Sequence, residues 1–288
     1  MCPIAHTRIV LEVNISIITI TWNSAETIRD TFESVLHQDY SDYEFIVIDG
    51  GSSDGTIDLI REYEPKFGGR MCWISESDGG IYDAMNKGID MAKGRIVGLL
   101  NSDDFYTSSD VLSTLAAGFE QHPGIDAVYG DVRYVKWHDV RKMVRYYSSK
   151  RFRRGWMRLG FMPAHPSFYC LKSTYERFKL DGNKITGFKG NPNRAYFNTT
   201  YKIAGDFECL LRMIFVGRIK TQYIEKDCVT MRIGGVSTSG IKAHNQINRD
   251  HLRAFKENNI YSNYFLISLR YVYKIGELFL DKIQRILP

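Results

Sequence analysis

Short apolar runs alternate with longer amphipathic stretches through the first 130 residues of the chain. The runs have the length and the β-branched content of buried strands, and they cover residues 14–21, 44–48, 71–75, 96–100 and 126–132. Apolar residues at helical spacing between them predict helices over residues 25–37, 57–63, 81–92 and 108–121. This alternation predicts an α/β fold with a mainly parallel sheet, helices on both faces and right-handed crossovers.

Polar residues follow the predicted strands at the point where each strand ends. They are the acids Asp49 and Asp78 and the adjacent pair Asp103 and Asp104, and the aromatic Trp22 stands at the end of the first strand. Ligands of open α/β sheets bind beyond the carboxyl ends of the strands, so the paired acids are placed to hold a divalent metal and a polyphosphate. The alternative is that the segment 102–104 only caps a following helix, because Ser and Asp are preferred N-caps.

The standard phosphate-binding loops are absent from the chain. Neither GxGxxG nor GxxxxGK[ST] follows the first strand, where the sequence is Thr21-Trp22-Asn23-Ser24. We therefore expect a metal ion and side chains to hold the phosphates of any nucleotide, without a glycine cradle.

The composition indicates a globular protein of a reducing compartment. The 288 residues are 44% hydrophobic, which is enough for a large core. The five cysteines are scattered and form no CxxC pair or zinc spacing, and the first 13 residues lack the apolar core of a secretory signal. These features predict a cytoplasmic protein.

The positive charge is concentrated in one segment, residues 133–158. This segment holds ten Lys or Arg against the single acid Asp139, although the whole chain carries only +5. Tyr, Trp and Phe residues interleave with the basic ones, a mixture that suits phosphate groups or an anionic lipid surface. The alternative is a solvated face without function, and a nucleic-acid partner is not expected.

Several segments in order resemble a known family. The segments ISIITITWNSAETIRDTFESVLHQDYSDYEFIVIDGGSSDGT and ESDGGIYDAMNKGIDMAKGRIVGLLNSDD are similar to the family 2 glycosyltransferases of GT-A fold, particularly bacterial enzymes of exopolysaccharide or capsule assembly. The resemblance is specific over residues 14–132 and continues more weakly to about residue 236. It implies a GT-A catalytic domain over 1–236, with a nucleotide-sugar half (14–132) and an acceptor half (133–236), followed by a C-terminal helical extension (237–288).

The resemblance implies a nucleoside pocket after the first strand. Thr21, Trp22 and Asn23 would line it, and Asp49 would hydrogen-bond the base. Trp22 as a core residue and Asp49 as a turn-forming residue are the structural alternatives.

The same resemblance extends the donor site to Asp78 and Lys87 and assigns the metal. A surface salt bridge would explain Lys87 equally well. The family's DXD motif corresponds to Ser102-Asp103-Asp104, so Asp104 would bind Mn2+ or Mg2+, while Asp103 would contact the ribose or the metal shell. The chain departs from the motif at Ser102.

The resemblance places the chemistry further along the chain. His165 would reach the cleft wall, although a structural role is as common for a lone histidine. Residues 181–200, rich in Gly, Pro and Asn, would form an acceptor-side loop. Asp206 matches the family's catalytic base, with Gly205 in place of the usual preceding acid. The structural alternative is that Asp206 caps a helix.

The late part of the chain yields three further expectations. Residues 232–237 resemble a loop near the donor, and His244 is not expected to bind metal. Apolar residues of the tail 261–287 share one helical side, but its longest uncharged run, 258–269, is too short to cross a bilayer. The tail would dock on the catalytic domain or lie on a membrane surface.

These inferences together predict a metal-dependent, inverting glycosyltransferase. It would move a sugar from a UDP- or GDP-sugar to a hydroxyl of a glycan or lipid-linked acceptor, in the cytoplasm or at the inner face of the membrane. The alternatives are a sugar nucleotidyltransferase, which would normally have a Gly-rich basic loop after the first strand, and a non-catalytic protein that binds nucleotide sugars.

Overall fold

The chain forms one mixed sheet flanked by helices in this computed structural model, which describes residues 14–234 and 240–271. The strands of the described chain are β1 (Ile15–Thr21), β2 (Tyr43–Asp49), β3 (Met71–Ser75), β4 (Ile96–Leu99), β5 (Phe105–Tyr106), β6 (Ala127–Lys136), β7 (Asp139–Tyr147), β8 (Tyr169–Leu171) and β9 (Thr221–Arg232). The α-helices are α1 (Ile28–Leu36), α2 (Thr56–Tyr63), α3 (Ile81–Met91), α4 (Val111–Gln121), α5 (Lys172–Arg177), α6 (Gly205–Leu210), α7 (Gly240–Glu257) and α8 (residues 264–271). Shorter turns of 3-10 helix cover Glu64–Phe67, Arg154–Leu159, His165–Ser167, Gly182–Lys184 and Pro192–Arg194, and a π-helical turn covers Leu211–Val216.

The sheet has the order β3-β2-β1-β4-β8-β6-β9-β5, with β7 paired to β6. The first four strands in this order are parallel, and so are β6 and β9, whereas β5, β7 and β8 run antiparallel to their neighbours. Thr21 lies beside Asp49, and Asp49 lies beside Ser75, so the ends of β1, β2 and β3 are level. The predicted α/β fold is confirmed, and its parallel part brings the strand ends to one edge.

The core lies on both faces of the sheet because side chains alternate along each strand. Ile15 and Ile17 of β1 belong to the apolar cluster that contains Phe32 of α1. Ile18 and Ile20 face the opposite cluster, under α3. This two-sided burial leaves none of the seven residues of β1 exposed.

Helix α3 approaches β1 unusually closely. A Cβ atom built on Gly88 would lie 2.3 Å from Cγ2 of Ile18, a separation that packed atoms do not tolerate. The glycine therefore sets the distance between α3 and the sheet, and with it the position of the turn that precedes α3.

The C-terminal helices pack on the same core as the sheet. Phe255 of α7 meets the ring of Phe207 at 5.5 Å, and Ala254 beside it is fully buried. Helix α8 packs through the buried Ile267 and Arg270. The described part of the predicted helical extension thus packs against the core that the sheet shares with α6.

Some predictions about elements are corrected by the structure. The first helix begins at Ile28 instead of residue 25, the helix predicted over 108–121 begins at Val111, and β4 ends at Leu99. Strands β7, β8 and β9 were not predicted. None of the helices within residues 14–234 and 240–271 combines the length and apolar character that a bilayer crossing requires, and the predicted tail beyond residue 271 lies outside the described residues.

Candidate active site

A cleft of about 1240 Å³ opens at the edge where β1 and β4 end. Eight of the ten residues predicted for the site line this cleft: Thr21, Trp22, Asn23, Asp78, Asp103, Asp104, His165 and Asp206. Asp49 and Lys87 do not line it. The fold thus brings together groups that are up to 185 positions apart along the chain.

The end of β1 forms one wall of the cleft. The Thr21 hydroxyl is buried and has no hydrogen-bond partner among the residues that the structure describes. Trp22 is 66% exposed, so it is not the core residue that was the alternative. Asn23 has a positive φ of 50° and accepts a hydrogen bond on Oδ1 from the backbone N–H of Ser53 at 2.9 Å. An unpaired hydroxyl and an exposed indole on one wall suit a planar polar ligand.

The end of β2 is organised differently, because protein groups already surround the carboxylate of Asp49. Asp49 accepts hydrogen bonds from the backbone N–H of Gly51 at 3.0 Å, the N–H of Ser52 at 2.9 Å, the Ser52 hydroxyl at 2.5 Å and the Ser75 hydroxyl at 2.6 Å. Asp49 is fully buried. It shapes the turn after β2, and its contact with a base stays a prediction.

Asp78 and Lys87 have different environments. Asp78 accepts from the N–H of Gly80 at 2.8 Å, and burial raises its pKa. Lys87 lies 2.8 Å from Oε1 of Glu76 and 3.8 Å from Oδ2 of Asp83. Lys87 therefore forms the salt bridge that was its alternative interpretation, and donor binding by it stays a prediction.

The turn after β4 holds the two adjacent acids in fixed positions. The N–H of Asp104 donates to the carbonyl of Asn101 at 3.1 Å, and its own carbonyl accepts from the Thr31 hydroxyl at 2.7 Å. Strand β5 follows directly, and helix α4 begins only at Val111. The interpretation of these acids as a helix cap is therefore wrong.

Both acids of this turn carry an electrostatic penalty. Burial, reinforced by the neighbouring charge of Asp103, raises the pKa of Asp104 well above its ordinary value. Burial also raises the pKa of Asp103. The Asp104 carboxylate receives one long side-chain hydrogen bond, from Asn101 at 3.4 Å, and makes no ion pair with any described residue. A backbone hydrogen bond from Arg232 and the charge of that residue oppose the rise in pKa without cancelling it. A buried carboxylate in this state favours a cation or a proton.

No cluster of three metal-ligating side chains occurs among the residues that the structure describes. Magnesium sites commonly use one or two carboxylates and take the remaining oxygens from substrate phosphates and water. The paired acids therefore fit a metal site that a bound diphosphate would complete.

Asp206 is the second residue of α6 and lies half-buried in the cleft wall. Burial raises its pKa, and the nearby His165 opposes this shift. The turn before it is held from two sides: the Tyr82 hydroxyl accepts from the N–H of Gly205 at 2.8 Å, and Asp250 accepts from the N–H of Ala204 at 3.1 Å. Asp206 does not cap α6, whose N-cap position is Ala204.

His165 lies in a 3-10 turn beside Asp206. Its ring meets the edge of Phe197 at 6.1 Å, and only 8% of the residue is exposed. Burial lowers the pKa of His165, while the charge of Asp206 acts in the opposite direction. The predicted placement at the cleft wall is found, and a role in ligand binding stays a prediction.

The sequence analysis did not identify Tyr134, a cleft residue that is near both Asp104 and Asp206. Burial raises the pKa of Tyr134, and the charges of both Asp104 and Asp206 add to this effect. One phenol is therefore near enough to respond to both carboxylates. Its position in β6, inside the basic segment, gave no motif that could have revealed it.

The late segments contribute to the cleft where they are described. Arg232 and Gly234, from the loop predicted to lie near the donor, line it, and so does His244 of α7. Arg232 donates to the carbonyl of Asp103 at 2.7 Å and forms an ion pair with Asp30. Residues 235–237 of that loop lie outside the described residues.

Several curated proteins are similar to part of this chain. A PGL/p-HBAD biosynthesis glycosyltransferase of Mycobacterium bovis (strain BCG / Pasteur 1173P2) is 38% identical over 117 residues, which are 41% of this chain and 46% of that protein. The putative teichuronic acid biosynthesis glycosyltransferase TuaG of Bacillus subtilis (strain 168) is 40% identical over 91 residues, 31% of this chain and 36% of TuaG. The matched part thus spans less than half the length of these relatives.

Solved structures share the fold at low identity. Staphylococcus aureus TarS 1–349 in complex with UDP-GlcNAc aligns with a TM-score of 0.60 and 18% identity, covering 84% of this chain and 66% of TarS 1–349. The mannosyltransferase PcManGT of Pyrobaculum calidifontis, in complex with GDP-Man and Mn2+, aligns at 0.57 and 20%, covering 85% and 63%. The family described as Glycosyl transferase family 2 matches residues 16–178, more than half of the chain. The chain therefore belongs to glycosyl transferase family 2 and has its GT-A fold.

Proposed function

We propose that this protein is an inverting, metal-dependent glycosyltransferase that moves a sugar from a UDP- or GDP-sugar to a hydroxyl group of a glycan or lipid-linked acceptor. The observation that carries the proposal is the Asp104 carboxylate, buried at the cleft without an ion pair to any described residue and with a raised pKa. Family membership supports the class of reaction, and neighbours of the same fold were solved with UDP-GlcNAc and GDP-Man.

The donor would occupy the end of the cleft formed by the first four strands. The unpaired Thr21 hydroxyl and the exposed Trp22 indole offer a hydrogen bond and a stacking surface to the nucleoside. Asn23, Asp49, Asp78 and Lys87 belong to the same proposal as further donor contacts. In this proposal residues 14–132 are the nucleotide-sugar half, residues 133–236 the acceptor half and residues 237–288 the extension.

Asp103 and Asp104 would hold the metal, Mn2+ or Mg2+, together with oxygens of the diphosphate. When bound, the cation supplies positive charge that offsets the charge gained by the leaving nucleoside diphosphate. The charge of Arg232 offsets the charge of the two acids only in part, because that guanidinium is also ion-paired with Asp30. A metal ion that binds together with the donor would supply the remaining positive charge at this turn.

Asp206 would act as the general base. Its carboxylate takes the proton from the acceptor hydroxyl while that oxygen bonds to the anomeric carbon, and the bond to the diphosphate breaks on the opposite face. A raised pKa makes the carboxylate a stronger base. Tyr82 and Asp250 would keep it aimed by fixing the turn before α6. His165 would contact donor phosphate or acceptor nearby.

Two variants separate binding from transfer. We expect Asp206→Asn to bind donor and metal normally and to lose transfer by about 100-fold or more. Asp104→Ala should instead lose metal-dependent donor binding. Calorimetry with UDP- and GDP-sugars, with and without Mn2+, measures binding, and release of the nucleoside diphosphate measures turnover. Wild-type activity in both variants would refute the assignment, and binding without turnover in the wild-type protein would favour the non-catalytic alternative.

The acceptor side is suited to a site at the inner face of a membrane. Strand β7 exposes Met143 and Tyr146 among basic residues, and Tyr261 and Phe265 are exposed at 70% and 72%. The guanidinium group of Arg158 donates to the carbonyl of Tyr261 at 3.2 Å, so the end of the basic segment 133–158 adjoins these aromatics. Anionic lipid attracts such surfaces.

Vesicle sedimentation tests this part of the proposal. The protein should sediment with anionic vesicles and much less with neutral ones. The double variant Tyr261→Ser with Phe265→Ser should weaken this binding, whereas Val216→Ser, at an exposed position outside the surface, should not. Equal recovery with both vesicle types would contradict membrane contact.

A further inference from the structure

Helix α8 brings a buried arginine to the cleft at the side away from β1. Arg270 is only 6% exposed and lines the cleft together with Tyr271 and two histidines of α7, His244 and His251. Its guanidinium group donates to Oδ1 of Asn248 at 2.6 Å, to the Tyr271 hydroxyl at 3.0 Å and to the carbonyl of Gly160 at 3.4 Å.

The remaining contact of Arg270 is with a histidine. One of its terminal nitrogens lies 2.7 Å from Nδ1 of His251. Arginine can only donate, so His251 must accept with an unprotonated nitrogen, and its ring is neutral in this contact. All four partners of Arg270 are therefore uncharged, and its Nε–H has no acceptor within residues 14–234 and 240–271.

Two other buried arginines of the described chain show what Arg270 lacks. Arg212 lies 3.0 Å from the carboxylate of Glu208. Arg232 forms an ion pair with Asp30. No described carboxylate pairs with Arg270. Because a buried charge without a counter-charge is costly, Arg270 is the buried arginine at which a ligand anion would be stabilised most.

The position of Arg270 relates it to the second substrate. The ring of His251 stacks on Phe207 at 3.8 Å, and Phe207 follows the proposed base Asp206 in the chain. Asp104 and Asp206 both act on Tyr134, whose pKa their charges raise, and all three residues line the same cleft as Arg270. A cleft of about 1240 Å³ also exceeds the roughly 300–1000 Å³ of most small-molecule sites, so it has room for more than a donor.

We infer that Arg270 binds an oxyanion of the acceptor, a phosphate or a carboxylate, in the part of the cleft where His251 stacks on Phe207, next to Asp206 in the chain. This inference rests on the proposed function for the identity of the ligand as acceptor. A guanidinium group suits both oxyanions, because its planar N–H groups match their oxygen atoms. The acceptor is then a charged glycan or a lipid-linked sugar phosphate, and neutral glycans are poor acceptors.

The first test uses the full chain and two simple probes, inorganic phosphate and acetate. Each is titrated while the side-chain 1H–15N resonances of the histidines are followed. A probe bound at Arg270 should shift His251 and His244, and it should leave His37 and His122, which do not line the cleft, unchanged. A response to phosphate alone identifies a phosphate site, and a response to acetate alone identifies a carboxylate site. A shift confined to His165, or no shift with either probe, would overturn the inference.

Variants then assign the effect to one side chain. Arg270→Gln should weaken binding of the responding probe at least 10-fold, and Arg270→Lys should weaken it less because the charge remains. Arg61→Gln, an exposed arginine of α2, is the matched control and should bind as the wild type does. Wild-type affinity in Arg270→Gln would also overturn the inference. The titration of the wild-type chain remains decisive even where a variant fails to fold.

The inference and the proposed function fail separately. Hydrolysis of the donor by water requires the donor site and the metal, and it requires no acceptor. Absence of wild-type hydrolysis and transfer with every UDP- and GDP-sugar would refute the proposed function, whatever the histidine resonances show. Hydrolysis together with unshifted His251 would refute the acceptor site alone.

Discussion

The ends of β2 and β4, the two neighbours of β1, present equally buried carboxylates with opposite surroundings. Asp49 receives four hydrogen bonds from the protein and is fully buried. Asp104 is 1% exposed, and its donors are the Asn101 side chain, at 3.4 Å, and the backbone of Arg232. Burial alone therefore does not decide which carboxylate still favours a cation or a proton. The number and closeness of the protein donors around the carboxylate do.

The largest effect should come from removing the charge at Asp104. We expect Asp104→Asn to lower the rate of transfer by about 100-fold or more, because a stabiliser of developing charge is lost. The same change should raise the free energy of unfolding by about 0.5–2 kcal/mol, because a desolvated charge disappears. Initial rates and urea denaturation measure the two effects.

Asp110→Asn provides the control for that experiment. Asp110 is an exposed acid, and its ion pair with Lys226 lowers its pKa to about 2. Its loss should leave the rate unchanged and should not stabilise the protein. A lower free energy of unfolding for Asp104→Asn than for the wild type would contradict the prediction that the buried charge of Asp104 destabilises the fold.

The opposite sign is expected at Asp49. Asp49→Ala leaves the N–H groups of Gly51 and Ser52 and two hydroxyls without their acceptor, and we expect it to lower the free energy of unfolding by about 3 kcal/mol. Asp49→Asn retains an acceptor oxygen and should cost less. Thermal or urea unfolding of both variants tests this ranking, which equal stability of Asp49→Ala and wild type would contradict.

The pH dependence of stability should separate the two acids further. The pKa of Asp104 is higher in the folded than in the unfolded protein, so the folded state binds its proton more tightly. The stabilising contribution is present at low pH and is lost as the pH rises from about 4, the unfolded carboxyl value, to the raised folded pKa. Urea midpoints of wild type and Asp104→Asn should therefore diverge with rising pH, and parallel curves would argue against the raised pKa.

The smallest effect is expected from a single donor to Asp49. Ser75→Ala removes the hydrogen bond of 2.6 Å to this carboxylate and should cost about 1 kcal/mol. The same substitution at Ser113, whose hydroxyl donates to the carbonyl of Asp110, is the comparison. If urea denaturation shows that Ser113→Ala lowers the free energy of unfolding more than Ser75→Ala does, the hydrogen bonds to Asp49 are not the stabilising feature.

The sequence predicted the fold best where burial imposes a regular pattern. Strands β1 to β4 are apolar because helices cover both faces of the sheet, and they were found within two residues of their ends. Strand β7 was missed because all but its last residue are exposed, so no alternation of apolar and polar residues marks it. Strand β8 has only three residues, too few for a period to show.

The candidate site was predictable where one motif carries neighbouring residues. Asp103 and Asp104 follow directly from the end of an apolar run. The environment of Asp49 was not predictable, because one of its donors, Ser75, comes from the next strand. Tyr134 and Arg270 reach the cleft from elements that share no motif with the acids. Only the packing of β6 and α8 reveals them.

The contact between Asp250 and the backbone before Asp206 couples two distant parts of the chain. Asp250 belongs to α7 and accepts the N–H groups of Ile203 and Ala204. Local unfolding of α7 would therefore release the turn that precedes Asp206 while the strands stay paired.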